Sequence, residues 1–309
     1  MAVLVLPTSP FVERQLAALR VVAPDERIFT DPVTAPPDEI EALLAFRLAP
    51  GIVSRFAALK FVACAGAGAD DLLTTPDLPA HLPVVRAVDP LQGVRMAQFV
   101  AMMALRHYRD LPRFEAQQRE ARWSRPPPAS EQDFSVGVMG YGSIGAPVVD
   151  VLVRLGFPVA VWTRTAREID RATPFAGAEA LAPFLAQCRI LVCALPLTAA
   201  TRGLLDSRAL GHLPRGAYVI NVSRGSVRRE SDLVAAIDAG HLAGAVLDVF
   251  ATEPLPADSP LWRHPKILCT PHVAAEPRPE VAAAQFVDNL RRARAGTPLA
   301  NIVDRVRGY

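Results

Sequence analysis

Short apolar runs alternate with helix-spaced apolar positions along almost the whole chain. Val3–Leu6, Arg27–Phe29, Leu43–Leu48, Lys60–Ala65 and Val84–Val88 have the length and composition of strands. Phe11–Leu19 and Ile52–Leu59 repeat apolar residues at helical spacing. Strands interleaved with helices predict a small α/β layer at the start of the chain. The pattern changes at Val94, where Met96, Phe99, Val100, Met103 and His107 mark one face of a long helix, read as packing between domains. Arg119 to Ser130, with Trp123 and Pro126-Pro127-Pro128, is polar and proline-rich and predicts a connecting arm.

Asp133 to Thr165 then reads as one βαβ unit. A strand, Phe134–Met139, runs into Gly140-Tyr141-Gly142-Ser143-Ile144-Gly145. Val148, Val149, Leu152 and Leu155 follow at helical spacing, and Pro158–Thr163 forms the second strand. The G-x-G-x-x-G turn suits a dinucleotide: its glycines permit a tight turn, backbone approach to a pyrophosphate and close helix–strand packing. The helix start supplies N–H groups and partial positive charge. Arg189–Ala194, Ala217–Val222, Ala245–Val249 and Lys266–Thr270 are further strands, with helices such as Glu230–Ala239 between most of them. Six strands so arranged predict a doubly wound parallel sheet of the Rossmann type. Val281–Arg294 is a closing amphipathic helix.

Composition narrows this picture. The chain has 309 residues, enough for two domains, and is 51% apolar with a net charge of only +2, which argues against a nucleic-acid partner. No run approaches a membrane span, and Val3–Leu6 is too short for a signal core. Cys64, Cys188, Cys193 and Cys269 lie in apolar, strand-like runs without metal-ligand spacing, so buried free thiols in a reducing cytoplasm are expected and no metal is.

In an open parallel sheet, ligands bind outside the carboxyl ends of the strands. Those ends carry Thr163-Arg164, Leu195-Pro196, Asn221-Val222-Ser223-Arg224-Gly225, Asp248 with Glu253 shortly after, and Thr270-Pro271-His272. A cation, an acid and a histidine converging on one edge are the groups that carbonyl reduction requires. In the first layer, Gly66-Ala67-Gly68-Ala69-Asp70 follows its strand directly and could present backbone N–H groups to an anion, or simply turn.

The chain resembles the D-isomer-specific 2-hydroxyacid dehydrogenases, and within them the glyoxylate/hydroxypyruvate reductase A type. The likeness is carried by the glycine turn, Asn221–Gly225, Leu247-Asp248-Val249-Phe250, Glu253-Pro254-Leu255-Pro256, Ser259-Pro260-Leu261-Trp262, Thr270–Ala275 and the terminal Asp304–Tyr309. The resemblance implies residues 98–274 as the NAD(P)-binding domain. It implies a smaller flavodoxin-like substrate domain from 1–97 and 275–309, with the active site in the cleft, and it implies a homodimer. It makes Arg224, Glu253 and His272 the catalytic trio. His272 would donate the proton, oriented by Glu253, and Arg224 would bind the substrate carboxylate and polarise the carbonyl. Ala67 and Gly68 N–H groups would hold the other carboxylate oxygen, and Asp248 would lie on the nicotinamide side. The glycine turn, Thr163, Arg164, Leu195, Pro196, Val222 and Ser223 complete the cofactor site.

Two departures from the family stand out. Thr163-Arg164 replaces the acid that binds the adenosine ribose, so Arg164, with Arg167, would favour a 2′-phosphate and hence NADPH over NADH. Val227-Arg228-Arg229-Glu230 stands where many relatives have Val-Asp-Glu, and Arg229 there has no mechanistic account. The expected reaction is NADPH-dependent reduction of glyoxylate and hydroxypyruvate. Phe46 and Arg47 are candidates for substrate choice. A dehydrogenase of bulkier D-2-hydroxy acids and a non-enzymatic dinucleotide sensor are the competing readings.

Overall fold

A computed structural model describes residues 1–8, 12–127 and 130–308. Phe11, Pro128 and Tyr309, each part of a segment named above, lie outside the described residues. The chain divides into two compact units, residues 1–91 with 276–309, and residues 92–275.

The first unit begins with β1 (Ala2–Val5), α1 (Val12–Val22), β2 (Arg27–Phe29), β3 (Ile40–Ala45), β4 (Phe61–Cys64), a single-turn α2 (Asp70–Leu73) and β5 (Val84–Arg86). Its strands pair in the order β2-β1-β3-β4-β5, all parallel. Parallel strands are buried on both faces, hence the continuous apolar runs. Leu4, Leu43 and Val62 face one core, while Val3, Leu44 and Phe61 face the other. Two expectations need correction. β3 starts three residues before Leu43, because Glu41 is buried within it, satisfied by Lys60 Nζ at 2.8 Å and Arg294 Nε at 2.8 Å. A charged residue there hid the strand's start. Ile52–Leu59 is not a helix, and only Val53–Arg55 is helical, as a 3₁₀ turn. Val53, Phe56 and Leu59 recur every three residues, and successive i→i+3 bonds (Phe56 N–H to Val53, Leu59 N–H to Phe56) fit that spacing.

The second unit holds most of α3 (Pro90–Tyr108), then α4 (Leu111–Arg119), β6 (Val136–Met139), α5 (Gly145–Arg154), β7 (Val159–Thr163), β8 (Thr173–Ala176), α6 (Leu181–Leu185), β9 (Ile190–Cys193), α7 (Ser207–Gly211), β10 (Ala217–Asn221), α8 (Glu230–Asp238), β11 (Leu242–Leu247) and β12 (Ile267–Cys269). The strand order is β12-β11-β10-β9-β6-β7-β8, parallel throughout, with the order reversing between β6 and β9. This is the doubly wound arrangement, and ligands bind at the reversal. Its seventh strand, β8, escaped the apolar pattern because it is a partly exposed edge containing Pro174. Met96, Val100 and Met103 of α3 pack into this unit's own core beside Val138, Val149 and Val161. β11 ends at Leu247, so Asp248 begins the loop after it rather than lying within the strand. Trp123, in the irregular segment after α4, is 87% exposed.

The chain then returns to the first unit as α9 (Pro279–Ala295), which buries Phe286 and Leu290 against Phe61 and Leu19. The Arg278 fork binds Asp89 through two bonds of 3.0 and 2.9 Å at the start of that helix. No helix among the described residues is long and apolar enough to cross a membrane. All four cysteines are free, three buried and Cys269 half-buried.

Candidate active site

β10, β11 and β12 are neighbours in the sheet, so the loops leaving their carboxyl ends are neighbours too. The loop after β10 is braced by Asn221, which is fully buried. Its Oδ1 accepts from the Ser223 hydroxyl (2.8 Å) and N–H (3.2 Å), and its Nδ2 donates to the Arg224 carbonyl (3.2 Å). Arg224 is extended and precedes a 3₁₀ turn, Gly225–Val227, and its Nη1 donates to the Ser223 carbonyl at 2.9 Å. Glycine is required next. A Cβ on Gly225 would stand 1.9 Å from the Phe250 carbonyl carbon, so only a hydrogen lets this loop close on the loop after β11.

That second loop carries Glu253. One carboxylate oxygen accepts from the Phe250 N–H at 2.8 Å and the other lies 2.7 Å from His272 Nδ1. Burial pushes this carboxyl up. The His272 bond and charge, the Phe250 N–H and the charge of Arg224 together outweigh it, and the group is held below its ordinary value. With Nδ1 committed to Glu253, the other ring nitrogen of His272 is the one available for proton transfer. His272 has φ +56°, an uncommon conformation for a non-glycine residue, and its N–H donates to the Asp248 (2.9 Å) and Thr270 (3.0 Å) carbonyls.

Asp248 is 1% exposed and organises this third loop. Its carboxylate accepts from the Thr270 hydroxyl at 2.6 Å, the Val273 N–H at 2.9 Å and the Ala274 N–H at 3.0 Å. Burial raises its pKa, against the pull of those three donors. Arg224, Glu253 and His272 thus come from three adjacent loops, and Asp248 braces the loop of the histidine.

The glycine turn lies at the carboxyl end of β6, on the same sheet edge. A Cβ on Gly145 would meet the Gly140 carbonyl oxygen at 2.1 Å, whereas one on Gly142 would meet nothing within 4 Å. The turn is closed tightly on its inner side and open at Gly142, where a pyrophosphate needs backbone approach. α5 starts there without a side-chain cap. Tyr141 and Ile144 are half-buried, and Ser143 is exposed. These residues fit a dinucleotide.

Other candidates are placed differently. Thr163 turns its hydroxyl inward to the Thr165 carbonyl at 2.9 Å, while Arg164 after it is exposed. Arg167 donates to the Tyr141 carbonyl at 2.9 Å, with its guanidinium 4.9 Å from the centre of the Tyr141 ring. Leu195 and Val222 are buried, and Pro196 is half-buried. Ser223 is also buried, its hydroxyl against Asn221 and, at 3.2 Å, Cys193 Sγ. In the first unit, Ala67 and Gly68 are half-exposed and Phe46 packs against Gly66. Arg47 Nε binds Asp71 at 2.7 Å.

Asn221, Gly225 and Thr270 stand in the strand-end segments named above, but their bracing roles are not legible from residue type. Their signal is positional, since each sits within two or three residues of a chemical group at a strand end. Of the adjacent pair, Arg229 is exposed and Arg228 is the buried one. It is 4% exposed, with Nη1 3.2 Å from Glu230 and Nη2 3.5 Å from the Val249 carbonyl.

A profile described as D-isomer specific 2-hydroxyacid dehydrogenase, NAD binding domain, matches residues 101–274. The chain is 41% identical over 256 residues to glyoxylate/hydroxypyruvate reductase A of Salmonella heidelberg (strain SL476), covering 81% of this chain and 82% of that one. Among solved structures it resembles a D-isomer specific 2-hydroxyacid dehydrogenase from Xanthobacter autotrophicus Py2 in complex with NADPH and MES. The TM-score is 0.91 and the identity 42%, over 100% of this chain and 99% of that one. An NADPH-dependent glyoxylate/hydroxypyruvate reductase from Sinorhizobium meliloti, in complex with NADP and sulfate, aligns over the whole of both chains with TM-score 0.91 and 34% identity.

Proposed function

The chain belongs to the D-isomer specific 2-hydroxyacid dehydrogenase family, and from that membership we propose that it reduces small 2-oxo acids with NADPH, glyoxylate and hydroxypyruvate being the leading substrates. The observation that carries this reading is the 2.7 Å Glu253–His272 bond between the loops after β11 and β12, beside the loop of Arg224. The second unit would hold the dinucleotide, and the 66–68 loop of the first would contribute to carboxylate binding.

The bound nicotinamide supplies the hydride to the keto carbon. Negative charge develops on the carbonyl oxygen, and His272 donates the proton that neutralises it. Glu253 fixes the ring through its bond to Nδ1. Arg224 pairs with the substrate carboxylate and polarises the carbonyl, using a planar fork that a lysine lacks. The Ala67 and Gly68 N–H groups take the other carboxylate oxygen. Asp248 keeps His272 in its uncommon backbone conformation.

Arg164 and Arg167 support the choice of NADPH. Thr163 leaves no carboxylate to repel a 2′-phosphate, and Arg167 is already fixed over the glycine turn by Tyr141. The half-exposed to exposed Met102, Leu111, Phe114 and Trp123 support a homodimer, which light scattering in solution tests. The activity test is oxidation of NADPH with glyoxylate and with hydroxypyruvate, against NADH and a panel of larger 2-oxo acids. Turnover with the two small acids is expected. NADPH binding without turnover of any 2-oxo acid would replace the enzyme reading with that of a dinucleotide sensor.

A further inference from the structure

The loop from Gly66 to Gly68 is held from behind at every carbonyl. Gly66 C=O accepts from the Ala87 N–H at 3.1 Å, Ala67 C=O from Arg86 Nη1 at 3.1 Å, and Gly68 C=O from the Cys64 thiol at 3.2 Å. The same sulfur accepts from the Gly66 N–H at 3.4 Å. A trans peptide points its C=O and the following N–H in opposite directions. Drawing the Gly66 and Ala67 carbonyls inward therefore turns the Ala67 and Gly68 N–H groups outward. Of the four residues Gly66 to Ala69, only Ala67 and Gly68 are not buried. No described residue accepts from either N–H.

Arg86 does more than orient. A cation on the Ala67 carbonyl withdraws electron density through the peptide, which makes the Gly68 N–H a stronger donor, as in any polarised hydrogen-bond chain. Cys64 contributes without charge. It lies 2% exposed at the end of β4, beneath the loop, and fixes the loop's entry and exit together.

We propose that Arg86 is a positioning residue for substrate binding, acting through the Ala67–Gly68 peptide, with Cys64 as its uncharged partner in shaping a two-amide anion clamp. This rests on the reading above that the substrate's carboxylate binds these amides. Because the clamp would touch only the carboxylate, which all 2-oxo acids share, its loss has a signature: every substrate should weaken by the same factor.

The experiment compares Arg86→Met and Arg86→Lys with the wild type on glyoxylate and hydroxypyruvate, together with NADPH affinity and thermal midpoint. Arg86→Met is expected to raise KM for both acids by one common factor of about 5- to 30-fold, less than the full worth of a hydrogen bond to a charged group because Arg86 acts through the Ala67–Gly68 peptide, with kcat changed less than about threefold. NADPH affinity should stay within about twofold, and Arg86→Lys should recover much of the loss, since it keeps the charge and one donor. Cys64→Ala against Cys64→Ser gives an independent readout, the serine retaining a donor for the Gly68 carbonyl and the smaller KM change. Unchanged KM in Arg86→Met overturns the proposal. So does a loss that differs between the two acids, or one that falls equally on NADPH affinity and thermal midpoint. A wild-type enzyme inert towards both acids would instead overturn the functional reading, and the inference with it.

Discussion

Gly225 and Phe250 approach so closely that a methyl group on the glycine would stand 1.9 Å from the Phe250 carbonyl carbon. The first residue follows Arg224 and the second donates to Glu253, so this contact sets how closely the cation and the acid are brought together. Gly225→Ala must push the two loops apart. A misplacement of about 1 Å can cost roughly 10²-fold in rate, and kcat/KM is expected to fall by at least that much. Steady-state kinetics beside a melting curve checks it; near-normal kinetics in a folded variant would show that the contact does not govern the geometry.

For His272→Ala, the loss of a general acid predicts a reduction rate lower by roughly 10²–10⁴-fold. Glu253→Gln replaces the carboxylate oxygen that faces His272 Nδ1 at 2.7 Å with an amide, so kcat should fall with little change in NADPH affinity. An unchanged kcat would separate the two residues functionally.

Asp248→Asn tests the brace. The carboxylate accepts from three donors, and an amide replaces one accepting oxygen with an NH₂ facing N–H or O–H groups. Leaving buried donors unmatched costs about 1–3 kcal/mol, visible as a lower urea midpoint, and kcat should drop as His272 loses its setting. Normal values for both would assign Asp248 no role in holding the loop.

Cofactor choice should follow Arg164. Arg164→Ala is expected to lower kcat/KM for NADPH by roughly 10- to 150-fold, the worth of a hydrogen bond to a charged group, while NADH changes little. Equal losses with both cofactors would remove Arg164 from 2′-phosphate recognition.

His107 predicts an acid sensitivity away from the site. Its ring stacks on Tyr218 at 4.1 Å, and burial, with a smaller contribution from Arg189, pushes its pKa down to about 4 from the ordinary 6.5. The folded protein resists protonating it, whereas the unfolded chain takes up that proton near its ordinary value. Stability from this residue is therefore complete above pH 6.5 and lost progressively as pH falls towards 4. His107→Phe should flatten that part of the urea-midpoint profile; the same slope in the variant would place the sensitivity elsewhere.

Much of the fold is readable from the chain because its parallel strands are apolar on both faces, as at Val3–Val5 and Ile190–Cys193. The apolar pattern misleads where polarity and burial part company. Glu41 is charged yet buried within β3, and β8 is a real strand yet exposed and interrupted by proline. In the site, Arg224, Glu253 and His272 were legible because strand ends gather them. The supports were not. Nothing in a one-dimensional pattern distinguishes the buried Arg228 from the exposed Arg229 beside it. Nor does it show that Ser223 and Thr163 turn their hydroxyls inward.

The first unit is built from two stretches of chain that flank the second. β5 meets the tail of the chain through the Val303 N–H and the Val84 carbonyl at 2.8 Å, and Phe61 meets Phe286 of α9 with ring centres 5.6 Å apart. While the ribosome is still making the second unit, the apolar surface of α1 and of Phe61's side of the first sheet that α9 buries stays open. A nascent chain must therefore carry that greasy surface through the synthesis of the whole second unit, and the stretch translated after it is the one that seals it.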